Sequence, residues 1–454
     1  MNRLPLLSVG LLAGAFLAGC AATAPEMDPM PSDPDMDIDM TMAGDPVICT
    51  NGMVTLPGED PADDADGPFE CSNVDLLAHL SVADMDPDAT RGNDIWGWTD
   101  STTGKEYALV GLDNGTAFVD ISDPTMPLHL GTLPTATVAT VWRDIKTYRD
   151  HAFIVSEARD HGVQVFDLAH LRGLGADPAR RFEADALYDG VTNVHNIVIN
   201  EDSGFAYAVG FGVRGDDFPA ECGAPGFFTL NIQDPKNPTF AGCFSDAAKD
   251  TSPVSAPGYT HDAQCIMYDG PDEDYTGAEI CVGSNEDVVT FFDVSDKQNV
   301  RIISMAAYPQ DAYTHQGWFT EDRRAFMAND ELDETNGYVS TQRTLLFNTE
   351  DLDAPEYIGA YDSGITSIDH NLYVKGDLSY QSNYHAGLRI LDHSDVLNGN
   401  LTEVGHFDTY PDATEVSFGG QWSNYPYFGS GLVIASDSNT GFFVLRPNVE
   451  RVDM

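Results

Sequence analysis

A polar pair recurs about every fifty residues in this chain, each time at the start of a segment that is typical of a β-strand. The five pairs are Arg143-Asp144, His195-Asn196, His261-Asp262, His315-Gln316 and His370-Asn371. Recurrence at such a spacing is typical of a repeat architecture, and the repeated unit is here a small β-sheet. Because the pairs stand at the same point of successive units, we expect them to form a ring of polar side chains on one face of the fold.

The chain contains seven such units. Each consists of short β-strands separated by Gly, Asp and Pro, and the second strand is the clearest. These second strands span 107–111, 152–156, 205–209, 279–283, 325–328, 378–382 and 432–436. The last unit ends at its third strand, 442–445, whereas 75–80 near the start is a lone strand. Pairing these two segments would close a ring and remove exposed sheet edges.

The sequence therefore predicts an all-β protein, a seven-bladed β-propeller closed by pairing an N-terminal strand with the last blade. A β-sandwich is the alternative, but it does not explain the recurrence. One hairpin supports the prediction by its register. If Cys265 lies opposite Cys281, then His261 lies opposite Asn285, because paired positions in an antiparallel ladder have a constant sum.

Residues 1–19 have the features of a bacterial signal peptide. Arg3 supplies the positive start, and 4–17 is apolar but short for a membrane span. The segment ends in Leu17-Ala18-Gly19-Cys20, which resembles a lipobox, where cleavage precedes the cysteine and the thiol is lipidated. An ordinary secretory signal with an incidental Cys20 is the alternative. We expect an exported protein, lipid-anchored through Cys20 to the bacterial cell envelope on its periplasmic or extracellular side.

Six cysteines remain after Cys20. An even number in an exported chain is typical of disulfides, and none has the Cys-x-x-Cys spacing of a zinc site. The simplest pairs are neighbours along the chain, namely Cys49–Cys71, Cys222–Cys243 and Cys265–Cys281.

The predicted organisation follows from these features. An acidic linker rich in Asp, Pro and Met spans 20–45, and a disulfide-stapled segment spans 46–73. The propeller spans 74–447, and a short tail spans 448–454.

The charge of the chain restricts its partners. With 73 acidic and 22 basic residues the net charge is -51, which repels phosphate backbones and argues against nucleic acid as a partner. Such acidity suits either solubility in concentrated salt or binding of divalent cations. We expect a monomer, held at the membrane by its lipid, with a surface protein or a glycan as ligand.

Several segments resemble the choice-of-anchor B family of LVIVD-repeat proteins. They are 142–146, 155–158, 195–200, 259–265, 285–287, 313–318, 330–334 and 369–375. The resemblance extends over 74–447. It implies a surface or exported β-propeller whose anchor varies between members, here a lipobox, and it implies no particular activity.

In a propeller the first strand of each blade begins, and the second strand ends, on the same face. The polar pairs should therefore share one channel mouth with the polar residues that follow second strands. These residues are Asp113, Glu157, Asn285, Glu286, Asp287, Asn329, Asp330, Glu331 and Asn383. Imidazole with carboxylate suits a transition metal such as zinc, manganese or iron, whereas oxygen-only clusters favour calcium.

Three interpretations of this mouth stay open. The polar pairs can cap exposed backbone groups, bind a ligand or metal, or supply a histidine base oriented by an acid. We expect a binding or interaction module whose ligand face carries Arg143, Asp144, Glu157, His195, Asn196, His261, Asp262, His315, Gln316, His370 and Asn371. The alternative is a metal-dependent enzyme whose ligands are His261, His315, Glu286 and Asp330.

All five tryptophans lie near first strands: Trp96, Trp98, Trp142, Trp318 and Trp422. Most are expected in the core between blades. One or two at a mouth would stack a sugar or an aromatic ligand.

Overall fold

The computed structural model describes residues 46–54, 69–213, 226–245, 258–411 and 415–449. One short α-helix, α1, spans Val82–Met85, and 3₁₀ turns span Leu168–Leu171, Glu273–Tyr275 and Val396–Asn398. The strands are β1 (Met53–Val54), β2 (Phe69–Ser72), β3 (Val74–Leu80), β4 (Gly92–Thr99), β5 (Glu106–Leu112), β6 (Gly115–Asp120), β7 (Leu128–Pro134), β8 (Arg143–Tyr148), β9 (His151–Ser156), β10 (Val163–Asp167), β11 (Ala186–Tyr188), β12 (Asn196–Asn200), β13 (Phe205–Val209), β14 (Phe227–Asn231), β15 (Thr239–Phe244), β16 (Asp262–Met267), β17 (Glu279–Ser284), β18 (Val289–Asp293), β19 (Arg301–Ala306), β20 (Thr314–Phe319), β21 (Ala325–Asp330), β22 (Arg343–Asn348), β23 (Glu356–Asp362), β24 (Asn371–Lys375), β25 (Leu378–Ser382), β26 (Leu388–Asp392), β27 (Thr402–Phe407), β28 (Gln421–Tyr425), β29 (Val433–Asp437) and β30 (Gly441–Pro447).

These strands form seven antiparallel blades. Blades one to six are β4–β7, β8–β11, β12–β15, β16–β19, β20–β23 and β24–β27, and blade seven contains β28, β29, β30 and β3. Each innermost strand contacts the innermost strand of the next blade, and β28 contacts β4, so that the ring is closed. The predicted seven-bladed β-propeller is confirmed.

Closure of the ring depends on β3. It pairs with β30 in antiparallel register, with Leu76 opposite Leu445 and Leu80 opposite Phe442. The last blade therefore takes its outer strand from the start of the propeller, as predicted. This arrangement joins the two ends of the ring through main-chain hydrogen bonds.

The core is divided into clusters that lie between neighbouring blades. Strand β5 shows how the sequence produces this arrangement. Tyr107 and Leu109 pack in the cluster shared with blade two. Ala108 and Val110, which alternate with them, pack in the cluster shared with blade seven. Because side chains alternate along a strand, an apolar strand buries both faces against two neighbouring blades.

The segment before the propeller adds two strands to blade six. Strand β2 pairs with β27, placing Cys71 opposite Phe407, and β1 pairs with β2. A disulfide joins Cys49 to Cys71. The stapled segment therefore covers the outer edge of blade six, which would otherwise expose unpaired backbone groups.

A second disulfide joins Cys265 to Cys281, which lie opposite each other on β16 and β17. The predicted register of this hairpin and both of these cysteine pairs are confirmed. Cys222 lies outside the described residues, so its pairing with Cys243 stays a prediction. Disulfides are typical of exported proteins.

The signal peptide, Cys20 and the acidic linker lie outside the described residues. No helix in the described part of the chain is long and apolar enough to cross a bilayer.

Candidate functional site

Four histidines from consecutive blades line one mouth of the central channel. They are His195, His261, His315 and His370, and we call them the histidine arc. Centroids of neighbouring rings are 4.3, 4.3 and 4.4 Å apart in chain order. All four rings line one cavity of about 60 Å³. The fifty-residue repeat thus places like side chains side by side, because each stands at the start of an innermost strand.

Main-chain hydrogen bonds fix the protonation of three of these rings. The Nδ1 atoms of His261 and His315 lie 2.8 and 3.0 Å from the carbonyl oxygens of His315 and His370, respectively. Nδ1 of His370 lies 2.6 Å from the carbonyl oxygen of Trp422. A carbonyl only accepts hydrogen bonds, so Nδ1 carries the proton and Nε2 of a neutral ring keeps a lone pair.

Burial keeps the same rings neutral. Each is at most 4% exposed. Burial lowers the pKa of His315 and of His370 to about 3, and it lowers the pKa of His261 well below its ordinary value. At neutral pH these three rings therefore present unprotonated Nε2 atoms, the form in which imidazole binds metals.

The fourth ring has a carboxylate as its partner. Nδ1 of His195 lies 2.6 Å from Oε1 of Glu157, which follows the second strand of blade two. Burial disfavours the charged ring, but the hydrogen bond and charge of Glu157 outweigh this effect and raise the pKa of His195. A carboxylate in this position orients an imidazole, whether the ring binds a metal or acts as a base.

Glu331 completes a set of ligand-type atoms around the arc. Its carboxylate oxygens lie 3.7 Å from Nε2 of His315 and 3.7 Å from Nε2 of His370. Ligand atoms of these three residues all lie within 4.8 Å of one another. The hydroxyl of Tyr384 donates to Oε1 of Glu331 at 2.6 Å and holds the carboxylate in place. Small side-chain shifts would place these three ligand atoms roughly 2.0–2.2 Å from a common metal ion, the usual metal–ligand distance.

Two residues of the predicted metal set lie elsewhere. The carboxylate of Asp330 accepts hydrogen bonds from the Tyr308 hydroxyl and from the backbone N–H groups of Ala312 and Tyr313. Glu286 accepts a hydrogen bond from the Tyr313 hydroxyl. The structure therefore brings His261 and His315 together in the arc, whereas Asp330 holds the segment before β20.

The second residues of the polar pairs connect neighbouring blades. Oδ2 of Asp144 accepts the N–H of Ile197 at 2.7 Å. The Gln316 side chain accepts from the N–H of Leu372 and donates to its carbonyl oxygen. Asn371 donates to a main-chain oxygen of blade seven. Among the described residues no backbone ladder joins these innermost strands to one another, so such side chains add to the few main-chain bonds between blades, as at Glu286–Thr314 and Tyr384–Gln421.

Arg143 occupies the equivalent of a histidine position but points between blades one and two. Its Nε donates to the carbonyl oxygen of Leu112, and its Nη1 lies 3.3 Å from Nε2 of His161. Asp113 accepts hydrogen bonds from Thr90. Neither Arg143 nor Asp113 lines the cavity of the arc.

A charged constriction lies below the arc. Nζ of Lys146 lies 2.5 Å from Asp144 and 3.6 Å from Asp94. Asp262 lies in the same part of the channel, and Asn196 lines it as well. Burial, followed by the nearby charge of Asp144, raises the pKa of Asp262 to about 7.

Beyond this constriction the channel opens into a second cavity of about 260 Å³. Five aromatic rings line it, from Trp96, Trp318, Tyr373, Tyr425 and Tyr427. Lys146 and Asp262 line both this cavity and the constriction, and they connect it to the arc. An apolar cavity with a few polar groups is typical of a small-molecule site.

The tryptophans are thus divided between the two ends of the channel and the core. Trp142 and Trp422 line the cavity of the arc, and Trp96 and Trp318 line the larger cavity. Trp98 is buried between blades one and two.

No protein-family model matches the sequence, and no curated protein matches it. Among solved structures, the computationally designed Ika8 protein is 9% identical with a TM-score of 0.44, covering 78% of this chain and 82% of that one. An extracellular domain assigned to a hybrid two-component system of B. thetaiotaomicron is 11% identical with a TM-score of 0.48. That match covers 81% of this chain and 39% of the other chain. Likeness at this level gives no information about ligand, activity or location.

Proposed function

We propose that this protein is an exported, lipid-anchored binding module whose propeller holds one transition-metal ion at the histidine arc. The observation that supports the proposal most directly is the shared hydrogen-bond pattern of the arc. Three neutral rings donate from Nδ1 to main-chain oxygens, and His195 uses Nδ1 to bind Glu157. Metal-binding histidines in proteins have the same type of partner on the nitrogen that does not touch the metal.

The chemistry of the ligands favours a transition metal. His315, His370 and Glu331 offer two imidazole nitrogens and a carboxylate, and His261 and His195 lie next to them around the same cavity. Imidazole suits zinc, copper, iron or nickel, whereas calcium prefers oxygen ligands. An ion held by these residues keeps positions that face the cavity. A carboxylate or imidazole of a surface protein, or a hydroxyl-rich glycan, would bind there.

The location follows from the N-terminus and the resemblance. The lipobox-like sequence at Leu17–Cys20 and the resemblance to the choice-of-anchor B family support a lipid anchor in the cell envelope. Detergent-phase partitioning of the full-length protein tests the anchor. We expect Cys20→Ser to move the protein from the detergent phase to the aqueous phase, whereas an unchanged distribution would contradict lipidation.

Metal analysis of the dialysed mature protein tests the site. We expect about one transition-metal ion per chain in the wild type and near none in a His315→Ala, His370→Ala double variant. His406→Ala is the matched control, because His406 bonds Glu403 on blade six and lies outside the arc. Equal metal in the wild type and the double variant would contradict the proposal, as would no metal after reconstitution with zinc, copper and iron.

A metal-dependent enzyme is the second candidate, and the His195–Glu157 pair favours it. This pair would supply a general base beside a metal-bound water. Hydrolysis of nitrophenyl ester and phosphate ester probes by the wild type and by Glu157→Gln distinguishes the two candidates. An enzyme loses metal-dependent turnover in this variant while it keeps its metal, whereas a binding module shows no turnover in either protein.

A further inference from the structure

A second set of acidic side chains lies behind Glu331. Asp333, Glu334 and Asp369 place carboxylate oxygens within 4.8 Å of one another, and we call them the oxygen cluster. These side chains are 0%, 5% and 1% exposed. Such burial separates the cluster from solvated acidic groups on the surface, because a buried carboxylate needs hydrogen-bond donors or a cation.

The donors around the cluster are too few for its oxygens. Asp369 accepts N–H groups from Asp330 at 2.9 Å and from Arg343 at 3.1 Å. Oδ2 of Asp333 accepts Nε–H of Arg343 at 2.5 Å. Oδ1 of Asp333 and both carboxylate oxygens of Glu334 accept no hydrogen bond of ordinary geometry among the residues that the structure describes, and the N–H of Glu334 is the backbone donor near them. Three buried oxygens thus lack a well-placed donor, although Glu334 is more than nine-tenths buried.

Charge and ligand chemistry indicate what compensates these oxygens. When ionised, the three carboxylates carry -3 against +1 on the Arg343 guanidinium, which leaves -2 among these four side chains, and the buried carboxylate of Asp330 adds to the negative charge near Asp369. We propose that the oxygen cluster binds one calcium ion, with Asp333, Glu334 and Asp369 as ligands. A divalent cation balances the charge, and an oxygen-only ligand set with neither imidazole nor thiolate suits calcium.

The position of the cluster gives the ion a structural role. Glu334 lies three residues after Glu331, and Asp369 directly precedes His370. Calcium would thus connect the loop after β21 to the segment before β24, and it would hold Glu331 against the arc. The calcium site does not depend on the proposed function, because its ligands differ from those of the arc.

Calorimetric titration of the chelator-treated mature protein with calcium chloride tests the proposal. We expect about one calcium ion per chain. The site should be close to saturated at about 1 mM calcium, as extracellular calcium sites are. The melting temperature should rise with calcium and much less with equal magnesium. Glu334→Gln should weaken calcium binding roughly tenfold or more. Asp353→Asn, in an exposed acidic group with Asp272 and Asp351, is the matched control and should behave as the wild type.

A proton shared between Asp333 and Glu334 is the competing explanation. It predicts no calcium binding, and it predicts that calcium leaves the melting temperature of the wild type unchanged. Either result overturns the proposal. If Glu334→Gln does not fold, terbium luminescence of the wild type decides: emission that calcium displaces supports the site, and its absence overturns it. The His315→Ala, His370→Ala variant separates the two sites, since it should lose transition metal and keep calcium.

Discussion

Nδ1 of His370 lies 2.6 Å from the main-chain oxygen of Trp422 in the next blade. This bond joins blades six and seven, and it leaves Nε2 of a neutral ring with a lone pair. His261 and His315 make equivalent bonds to the next blade. The arc therefore links blades through Nδ1 and presents unprotonated Nε2 atoms, the form of imidazole that binds metals. Capping and the proposed metal binding, which the sequence presents as alternatives, can therefore be combined in the same side chains.

The two roles of His370 should separate in two variants. An asparagine amide can replace Nδ1–H as donor to Trp422 but offers no nitrogen at the Nε2 position. We expect His370→Asn to lose metal and keep most of its stability. We expect His370→Ala to lose metal and about 1–3 kcal/mol of unfolding free energy. Chemical denaturation with metal analysis measures both quantities, and equal stability loss in the two variants would contradict the link between blades.

Lys146 should be needed to stabilise the channel constriction. Its mostly buried side chain places the ammonium beside Asp144 and Asp94. Lys146→Met leaves two buried carboxylates without their cation and should cost about 3–5 kcal/mol. Lys236→Met removes an exposed ion pair with Asp167 and should cost less than about 1 kcal/mol. Urea denaturation of both variants gives the comparison, and similar losses would show that burial of Lys146 is unimportant.

Asp100 should make stability depend on acid pH. Hydrogen bonds from Arg172 at 2.9 and 2.8 Å lower the pKa of this buried carboxyl below its ordinary value. The folded state therefore binds the proton less readily than the unfolded state, and the stabilisation is present above the ordinary pKa of about 3.9 and is lost as pH falls below it. The difference in unfolding free energy between the wild type and Asp100→Asn should thus shrink between pH 7 and pH 3. A difference that is constant or grows on acidification would contradict this assignment.

Closure of the ring should depend on Leu76. This residue is fully buried between blades six and seven, opposite Leu445. Leu76→Ala should cost about 2–5 kcal/mol, the usual range for a buried leucine. Leu128→Ala, at a 38% exposed position on an outer strand, should stay within about 0.5 kcal/mol of the wild type. Thermal and urea unfolding measure both losses, and a tolerated Leu76→Ala would contradict a role of this side chain in closing the ring.

The fold could be predicted because its signals are local and repeated. Most second strands are apolar on both faces, as suits strands packed between two neighbouring blades. The lone strand at 75–80 could pair with the free edge of the last blade. Histidine positions could be predicted for the same reason, since the same strand start recurs with histidine in four consecutive blades. The Cys265–Cys281 pair fixed the register of its hairpin.

The contacts of individual side chains could not be predicted in the same way. Asp330 and Glu331 are adjacent, yet Asp330 binds the Ala312 and Tyr313 backbone while Glu331 approaches His315. Strand alternation sends neighbours to different sides, but it does not say which side faces the channel. The oxygen cluster could not be predicted from the sequence, because Asp369 is distant along the chain from Asp333 and Glu334 and meets them only in the fold. The larger cavity has only a weak signal in the sequence, namely aromatic residues in the innermost strands away from the histidine positions.

X-ray absorption at the metal edge of the purified mature protein tests the central claim most directly. We expect a first shell of nitrogen and oxygen at roughly 2.0–2.2 Å from the metal, with outer-shell scattering from at least two imidazoles. In His370→Asn the imidazole scattering should fall or the metal should be lost. A sulfur shell, a shell without imidazole, or a spectrum that is unchanged in His370→Asn would contradict a metal centre at the histidine arc.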